Sequence, residues 1–371
     1  MVRRSAQNPR FAATHGRRHW LKGIGASALF LAGKKSLASP KTTSGGDAAR
    51  PARVMPTASD PESSARKVLP TGAQYELRLR NLRVVVTEVG ATLRSFQVGG
   101  RELLDTFGPD EMSRYGMGHV LAPWPGRIDH GRYTFRGAAQ QLPINEVENQ
   151  NALHGLVRFR EWRLVGRSDD AVTQSVVLFP TEGYPYTLEL AVTYRLGARG
   201  LVVQTRASNL GAVPLPFGLG FHPYFKLGSD RVDTNVLTLP VETVLPTDAR
   251  LIPTGKQPVA GTPLDFRKPR AIGGVKLDTT FADLIRGKDG LARIRLAAAG
   301  GTPWVELSLD ASYHYIVAYT QDTLPEASHR RRGICLEPLT CAPNAFNSGN
   351  GLLVLEPGRS YRGEWSLDGG D

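Results

Sequence analysis

Three segments of the chain place side chains capable of acid–base chemistry among glycine, proline and aromatic residues. His222 lies in FGLGFHPYF (217–225), His154 lies in LHG (153–155) and Glu337 lies in ICLEPLTC (334–341). Imidazole and carboxyl groups are the usual general acids and bases near neutral pH. These residues are therefore candidates for proton transfer. For each histidine, a hydrogen-bonded core position is the alternative.

Glu337 is predicted to lie on a strand that ends at Pro338. On a strand, Cys335 and Glu337 share one face, whereas Ile334 and Leu336 share the other. Apolar neighbours remove water from the carboxyl group and should raise its pKa, which suits a general base. A carboxylate paired with an arginine at the end of a sheet is the alternative.

Arg127 is a third type of candidate, a cation in the segment PWPGRI (123–128). Its guanidinium could hold a hydroxylated ligand or the edge of a loop. The sequence has no glycine-rich phosphate loop, no His-Glu-x-x-His and no Gly-x-Ser-x-Gly, so we expect no cofactor. We also expect no metal, although His154, His222 and Glu337 are ligand types that zinc accepts.

The elements that position these residues are predicted to be strands. The 40 glycines and 26 prolines favour many short strands and turns, and no apolar period of 3.6 residues extends over three turns. Strand-like runs are 75–80, 82–86, 175–179, 188–194, 201–208, 236–241, 304–309 and 315–319. The predicted fold is all-β, with large antiparallel sheets packed face to face in one domain over 74–371.

The net charge of +12, from 46 lysines and arginines against 34 acids, would by itself suggest an acidic partner such as nucleic acid. Eight of these cations, however, lie within residues 1–40, where there is no acid, so about +4 is left for the rest of the chain. A body this close to neutral has no broad basic surface, which argues against DNA or RNA binding.

The N-terminal residues are typical of an export signal. Arg17 and Arg18 precede an apolar run, GIGASALFLAG (23–33), which is too short to cross a bilayer as a helix. The pattern predicts a twin-arginine signal peptide over 1–38, cleaved after Ala38, and a flexible linker over 39–73. We therefore expect a periplasmic protein that is not inserted in the membrane once the signal is removed.

The two cysteines, Cys335 and Cys341, are too few for a disulfide framework. Twin-arginine substrates fold in a reducing compartment before export. We therefore expect both thiols to be free and mostly buried.

Taken in order, five blocks resemble the aldose 1-epimerase, or galactose mutarotase, family, over roughly residues 75 to 368. The blocks are PWPGRI (123–128) with GRYTF (131–135), LHG (153–155), FHPYF (221–225), LDTTF (277–281), and CLEP (335–338) with NAFN (344–347). The resemblance implies a large β-sandwich of the supersandwich type that binds a sugar in an open cleft. This chain departs from the family at two positions. The family often has asparagine where this chain has Gly126, and some members have a polar residue where this chain has Val317.

The resemblance also implies roles for individual residues. Glu337 matches the catalytic base and His222 the catalytic acid, while Arg127, His154 and Asp278 match residues that hold sugar hydroxyls. The implied reaction interconverts the α and β anomers of free hexoses such as glucose and galactose. With these roles, the acid limb of the pH profile would come from Glu337 and the alkaline limb from His222.

Two other functions fit the same fold. A hexose-6-phosphate 1-epimerase would need an extra cation for the phosphate, and Arg94, Arg158 and Arg160 are the candidates. A non-catalytic sugar-binding protein would keep the cleft, but it has no need for both Glu337 and His222.

Overall fold

The structure is a computed structural model that describes residues 68–198 and 200–370. The predicted signal peptide (1–38) and most of the predicted linker (39–73) lie outside the described residues. The first strand begins at Gln74, where the sequence predicts the folded body to start. None of the described helices has the length and apolar character needed to span a membrane.

Strands make up most of the regular structure in the described part of the chain. The first nine are β1 (Gln74–Leu79), β2 (Leu82–Thr87), β3 (Leu93–Val98), β4 (Arg101–Glu102), β5 (Val120–Leu121), β6 (Arg127–Asp129), β7 (Arg132–Phe135), β8 (Ala138–Gln141) and β9 (Asn151–Leu153). The next nine are β10 (Arg163–Arg167), β11 (Ala171–Leu178), β12 (Leu188–Gly197), β13 (Gly200–Asn209), β14 (Leu215–Phe217), β15 (Gly220–Phe221), β16 (Tyr224–Phe225), β17 (Val236–Thr238) and β18 (Val241–Leu245). The last nine are β19 (Gln257–Pro258), β20 (Arg270–Ala271), β21 (Asp278–Leu284), β22 (Ala292–Ala297), β23 (Trp304–Leu309), β24 (Tyr315–Tyr319), β25 (Ile334–Leu339), β26 (Leu353–Leu355) and β27 (Ser360–Gly370).

Helical structure is confined to short segments. One α-helical turn, α1, covers Ala345–Ser348, and two 3₁₀ turns cover Val232–Thr234 and Ala327–His329.

Two large antiparallel sheets form the body. The nine-stranded sheet has the order β10-β11-β12-β13-β27-β23-β22-β17-β20, and the eight-stranded sheet includes β19-β18-β21-β24-β25-β15-β5, with β16 also paired to β25. A four-stranded sheet, β1-β2-β3-β4, and three two-stranded ribbons complete the described fold. The arrangement is that of a large all-β sandwich, as the sequence predicts.

A shared hydrophobic core joins the two large sheets. In β12, Leu190 and Val192 are fully buried and alternate with half-buried residues, so one face of the nine-stranded sheet is apolar. Phe221 of the eight-stranded sheet lies with its ring 5.2 Å from the ring of Trp365 in the nine-stranded sheet. The core therefore lies between the sheets, and burial of this apolar area holds them together.

The structure confirms most of the predicted strands but corrects two. The run 236–241 is not one strand, because β17 belongs to the nine-stranded sheet and β18 to the eight-stranded sheet. Pro240, which has no N–H to donate, lies between them and marks the crossing. Pro338 does not end its strand, because β25 continues to Leu339 and Pro338 pairs with Ile316.

Candidate active site

The β25 strand carries the central carboxyl group of the site. It lies inside the eight-stranded sheet, with β24 on one side and β15 and β16 on the other, and all six of its residues are buried. Ile334 and Leu336 pack into the main core, whereas Cys335 and Glu337 lie on the opposite face, as predicted. Glu337 is opposite Val317 in the register with β24. An apolar neighbour therefore occupies the place where a hydroxyl or amide could have solvated the carboxyl group.

His222 reaches this face from the segment between β15 and β16. Its backbone N–H donates to the carbonyl of His119 at 3.0 Å, and its own carbonyl accepts from Gly118 N–H at 2.9 Å. Because Gly220 pairs with Leu339 and Tyr224 with Cys335, the segment crosses β25 close to Glu337. These backbone contacts fix the position of the imidazole.

Glu337 and His222 form a close, buried pair. Glu337 Oε1 lies 3.4 Å from His222 Nε2, and each side chain is only 6% exposed. Burial raises the pKa of Glu337 well above its ordinary value, and the negative charge of Asp278 raises it further. Burial lowers the pKa of His222 to about 3, with a further contribution from the positive charge of Arg158. Burial thus favours the uncharged form of each group, a protonated Glu337 beside a neutral His222.

His154 packs against the ring of His222, with the ring centroids 5.0 Å apart and the planes nearly perpendicular. Its Nδ1 accepts a hydrogen bond from the backbone N–H of Gly126 at 3.1 Å, so Nε2 carries the proton in the neutral ring. Burial and the charge of nearby His222 lower the pKa of His154 well below its ordinary value. His154 is therefore a neutral hydrogen-bond donor through Nε2.

Glycines on either side of His154 permit this arrangement. Gly126 has φ +64°, and a Cβ there would lie 2.9 Å from Pro343 Cβ. Gly155 has φ +70°, and a Cβ there would lie 2.0 Å from the carbonyl oxygen of Ala122. The backbone of Ala122 therefore approaches Gly155 more closely than a Cβ would allow. An asparagine at Gly126 would be both strained and crowded.

Arg127 is held by a carboxylate that the sequence did not reveal. Its Nε and Nη2 atoms bond both oxygens of Glu146 at 2.9–3.1 Å. Glu146 also accepts from Asn151 Nδ2 at 2.9 Å. Burial would raise the pKa of Glu146, but the hydrogen bonds and charge of Arg127 hold it below its ordinary value. The guanidinium is thereby locked in one orientation.

If Arg127 holds a sugar, as the resemblance implies, Glu146→Gln is expected to raise KM about 10-fold with a smaller fall in kcat, because the loosened Arg127 no longer positions that ligand. The measurement is steady-state kinetics by polarimetry. The matched control is Glu148→Gln, which makes the same change on an exposed side chain two residues away and should behave as wild type. Equal kinetics for both variants would show that the Glu146 contact does not matter for substrate positioning.

Asp278 lies at the start of β21, on the solvent side of the site. Its side chain is exposed. Desolvation by the surrounding protein nevertheless raises the pKa of Asp278, and the positive charge of Arg127 partly offsets this rise. It interacts electrostatically with Glu337 rather than through a direct hydrogen bond. Asp278 therefore marks the side from which a ligand would approach the buried pair.

The five residues predicted for the site thus lie in one region. Glu337 and His222 form the buried pair, His154 packs against His222, and the charges of Arg127 and Asp278 act on Glu337. Sequence reasoning missed three further residues, Cys335 as a contact of His222, Glu146 and His119. The alternation along β25 was the available signal for Cys335. Nothing local connects Glu146 to Arg127, which is 19 positions away.

His154, His222 and Glu337 are also the residues of a possible metal site. Their nearest ligand atoms all lie within 4.8 Å of one another. A zinc ion would take these ligands at about 2.0–2.2 Å, so the cluster is compatible with a metal. The 3.4 Å contact of His222 Nε2 with Glu337 Oε1 also places an acid and a base together, which is what proton transfer needs.

Comparisons with known proteins identify the family of the chain. The family model described as Aldose 1-epimerase matches residues 73–368. The uncharacterized protein YihR of Escherichia coli (strain K12) is 33% identical over 293 residues, covering 79% of this chain and 92% of that protein. The galactose mutarotase of Mus musculus is 30% identical over 331 residues, covering 79% and 94%.

A solved structure shares the fold. The GalM/aldose epimerase homologue from C. elegans superposes with a TM-score of 0.71 at 22% identity, covering 81% of this chain and all of that one. Together with the family match over residues 73–368, these relationships show that the chain is a carbohydrate epimerase that belongs to the aldose 1-epimerase family.

Proposed function

We propose that this protein interconverts the α and β anomers of free aldohexoses such as glucose and galactose. The observation that carries the proposal is the buried contact of His222 Nε2 with Glu337 Oε1 at 3.4 Å, which places an imidazole and a carboxyl group side by side. Arg127 and the Nε2–H of His154 supply donors for sugar oxygens beside it. A base, an acid and fixed donors are what anomer exchange requires.

In the proposed reaction, one proton leaves the hydroxyl group on C1 and another is added to the ring oxygen O5. Glu337 as carboxylate takes the proton of the C1 hydroxyl, while His222 as imidazolium gives a proton to the ring oxygen from Nε2. The C1–O5 bond breaks, and the aldehyde rotates by about half a turn. The reverse transfers close the ring from the other face and restore both groups. No bond to the protein forms, and each catalyst contributes about 10²–10⁴ in rate.

The resting pair reaches this state by moving its own proton from Glu337 to His222. The neutral and charged forms of the pair contain the same number of protons, so a bound sugar need only favour the charged form. Sugar hydroxyls that donate to the Glu337 carboxylate stabilise its charge by hydrogen bonding. Binding is therefore coupled to formation of the reactive state.

The pH profile of kcat/KM is expected to be bell-shaped, with activity confined to the range in which the pair holds one proton. A second proton adds to His222, whose pKa is about 3, so the acid limb lies near that value. Loss of the shared proton gives the alkaline limb, which the raised pKa of Glu337 moves upward. This order reverses the assignment made from the sequence. Rates corrected for spontaneous mutarotation at each pH provide the test, and an acid limb at the ordinary imidazole pKa would contradict it.

The experiment that tests the function is polarimetry of freshly dissolved α-glucose and α-galactose with purified protein. Acceleration that persists after treatment with EDTA supports the proposal. Galactose binding without acceleration would instead identify a sugar-binding protein, and loss of activity in EDTA would support the zinc alternative.

One observation favours a second candidate, an epimerase of hexoses that carry a phosphate. Arg158 Nη2 donates to the carbonyl of Leu153, next to His154, while its Nε is buried without a partner. Within residues 68–198 and 200–370 no carboxylate forms an ion pair with Arg158, and burial lowers its pKa to about 10. Of the three arginines predicted for a phosphate, Arg94 instead bonds Gln74 and the carbonyl of Phe107, and Arg160 is exposed.

Comparing kcat/KM for glucose and glucose 6-phosphate decides between the two candidates. A preference for free glucose that survives Arg158→Gln supports the first. A preference for the phosphate that disappears in Arg158→Gln supports the second, and Arg160→Gln is the matched control because its side chain is exposed.

We also propose that the protein acts in the periplasm after export by the twin-arginine route. The proposal rests on the Arg17-Arg18 pair and the apolar run that follows it. Replacing both arginines with lysine should leave precursor in the cytoplasm of a bacterial host. Mature protein at normal levels in the periplasm would argue against this route.

A further inference from the structure

Cys335 is a buried thiol that the proposed reaction does not use, and it lies against the catalytic histidine. Its Sγ is 3.2 Å from His222 Nδ1. Because residues two apart on a strand face the same side, β25 presents Cys335 and Glu337 together to the two nitrogens of one imidazole. Sulfur meets Nδ1, and the carboxyl group meets Nε2.

Mostly apolar and aromatic side chains surround Cys335. It is fully buried in a cluster with Phe107, Met117 and Tyr224, against which Tyr115 and Tyr319 pack. The ring of Tyr224 lies 5.1 Å from that of His222, while its hydroxyl donates to the carbonyl of Tyr115 instead. Among the side chains of the described residues, that of Cys335 is the one that makes a hydrogen bond with His222 Nδ1.

The proposed reaction decides which way the sulfur contact runs. As imidazolium, His222 carries a hydrogen on both ring nitrogens. After it gives the Nε2 hydrogen to the ring oxygen, the neutral ring keeps the hydrogen on Nδ1. In either state Nδ1 carries a hydrogen, and that hydrogen points at Cys335 Sγ, a weak acceptor.

We propose that Cys335 is a positioning residue whose sulfur accepts from His222 Nδ1–H and so keeps Nε2 as the nitrogen that exchanges protons. The inference rests on the proposed function. A neutral sulfur differs from the carboxylate that often orients a catalytic histidine, because it fixes the tautomer without adding a charge that stabilises imidazolium. His222 therefore stays a strong acid. Burial also raises the pKa of the Cys335 thiol well above its ordinary value, which keeps it uncharged.

The kinetic test compares Cys335→Ala, which removes the acceptor, with Cys335→Ser, which keeps one. We expect Cys335→Ala to lower kcat about 10-fold with little change in KM, as for other groups that orient a functional histidine. Cys335→Ser should recover most of this loss. Cys341→Ala is the matched control, because Cys341 is also a buried free thiol close to β25 but does not bond His222.

A spectroscopic test examines the tautomer directly. Long-range ¹H–¹⁵N spectra of the full-length protein labelled with ¹⁵N-histidine, with the His222 signals assigned by their loss in His222→Asn, should show a proton on Nδ1 at neutral pH. In Cys335→Ala the signals should move toward the Nε2–H tautomer, whereas Cys341→Ala should match wild type.

Two results would overturn the proposal. One is a wild-type spectrum with a bare Nδ1, and the other is a folded Cys335→Ala protein with wild-type kcat and tautomer. The wild-type spectrum decides even if Cys335→Ala fails to fold. Failure of the proposed function is separate, since it would appear as a wild-type protein that does not accelerate anomer exchange, whatever the tautomer.

Discussion

Glu337→Gln is expected to lower kcat for mutarotation by at least about 10²-fold, while galactose binding changes little. Glutamine has nearly the shape of the protonated carboxyl group that the buried pair contains at rest, but it cannot accept the C1 proton. Polarimetry gives kcat, and calorimetric titration with galactose gives the dissociation constant. Glu306→Gln, a carboxyl on β23 in the nine-stranded sheet, is the control and should have wild-type activity.

The same variant should differ in stability at high pH. Because the pKa of Glu337 is higher in the folded state than its ordinary value, its protonated form stabilises the fold at low pH. That stability is lost as the pH rises through the folded-state pKa. Denaturant unfolding of Glu337→Gln should therefore depend less on pH above the ordinary carboxyl pKa of 4.5. A folded variant with near wild-type mutarotation would show that Glu337 is not the base.

His222→Asn is expected to lower kcat by about 10²-fold or more and to affect KM less, because the amide cannot donate a proton to the ring oxygen. The exposed His314 provides the control variant His314→Asn. Since Glu337 and His222 act as one proton-sharing unit, the double variant should be little worse than either single one. A fall in kcat of the double variant equal to the product of the two single falls would indicate that the two residues act independently.

Acid stability gives an independent check on His222. Its pKa is lowered from the ordinary value of 6.5 to about 3 in the folded protein. The stability associated with the neutral ring is therefore present above pH 6.5 and is lost as the pH falls toward 3. As the pH falls between these limits, the denaturation midpoint of His222→Asn should rise relative to that of wild type. The reference is the difference between the two midpoints at neutral pH. A constant difference between the two proteins across this range would contradict the buried, neutral imidazole.

The class of fold could be predicted from the amino-acid sequence, together with candidate residues for the chemistry. Alternation of apolar and polar residues is a local property of a strand, so runs such as 188–194 indicated β-structure without knowledge of any partner. The same alternation placed Cys335 and Glu337 on one face of β25, and the raised pKa of Glu337 followed from its apolar neighbours. The five predicted site residues came from the order of short motifs along the chain.

Tertiary structure decided the contacts between distant segments. Glu146 forms an ion pair with Arg127 because the chain between them folds back, although the two residues are 19 positions apart. The Cys335 sulfur contacts His222 Nδ1 because β16 pairs with β25. The two contacting residues are 113 positions apart in the chain. The division of 236–241 between two sheets, with Pro240 at the crossing, likewise depends on which strands each half can pair with. Such partners are set by packing across the sandwich, and proton sharing between Glu337 and His222 depends on an interatomic distance that no local pattern encodes.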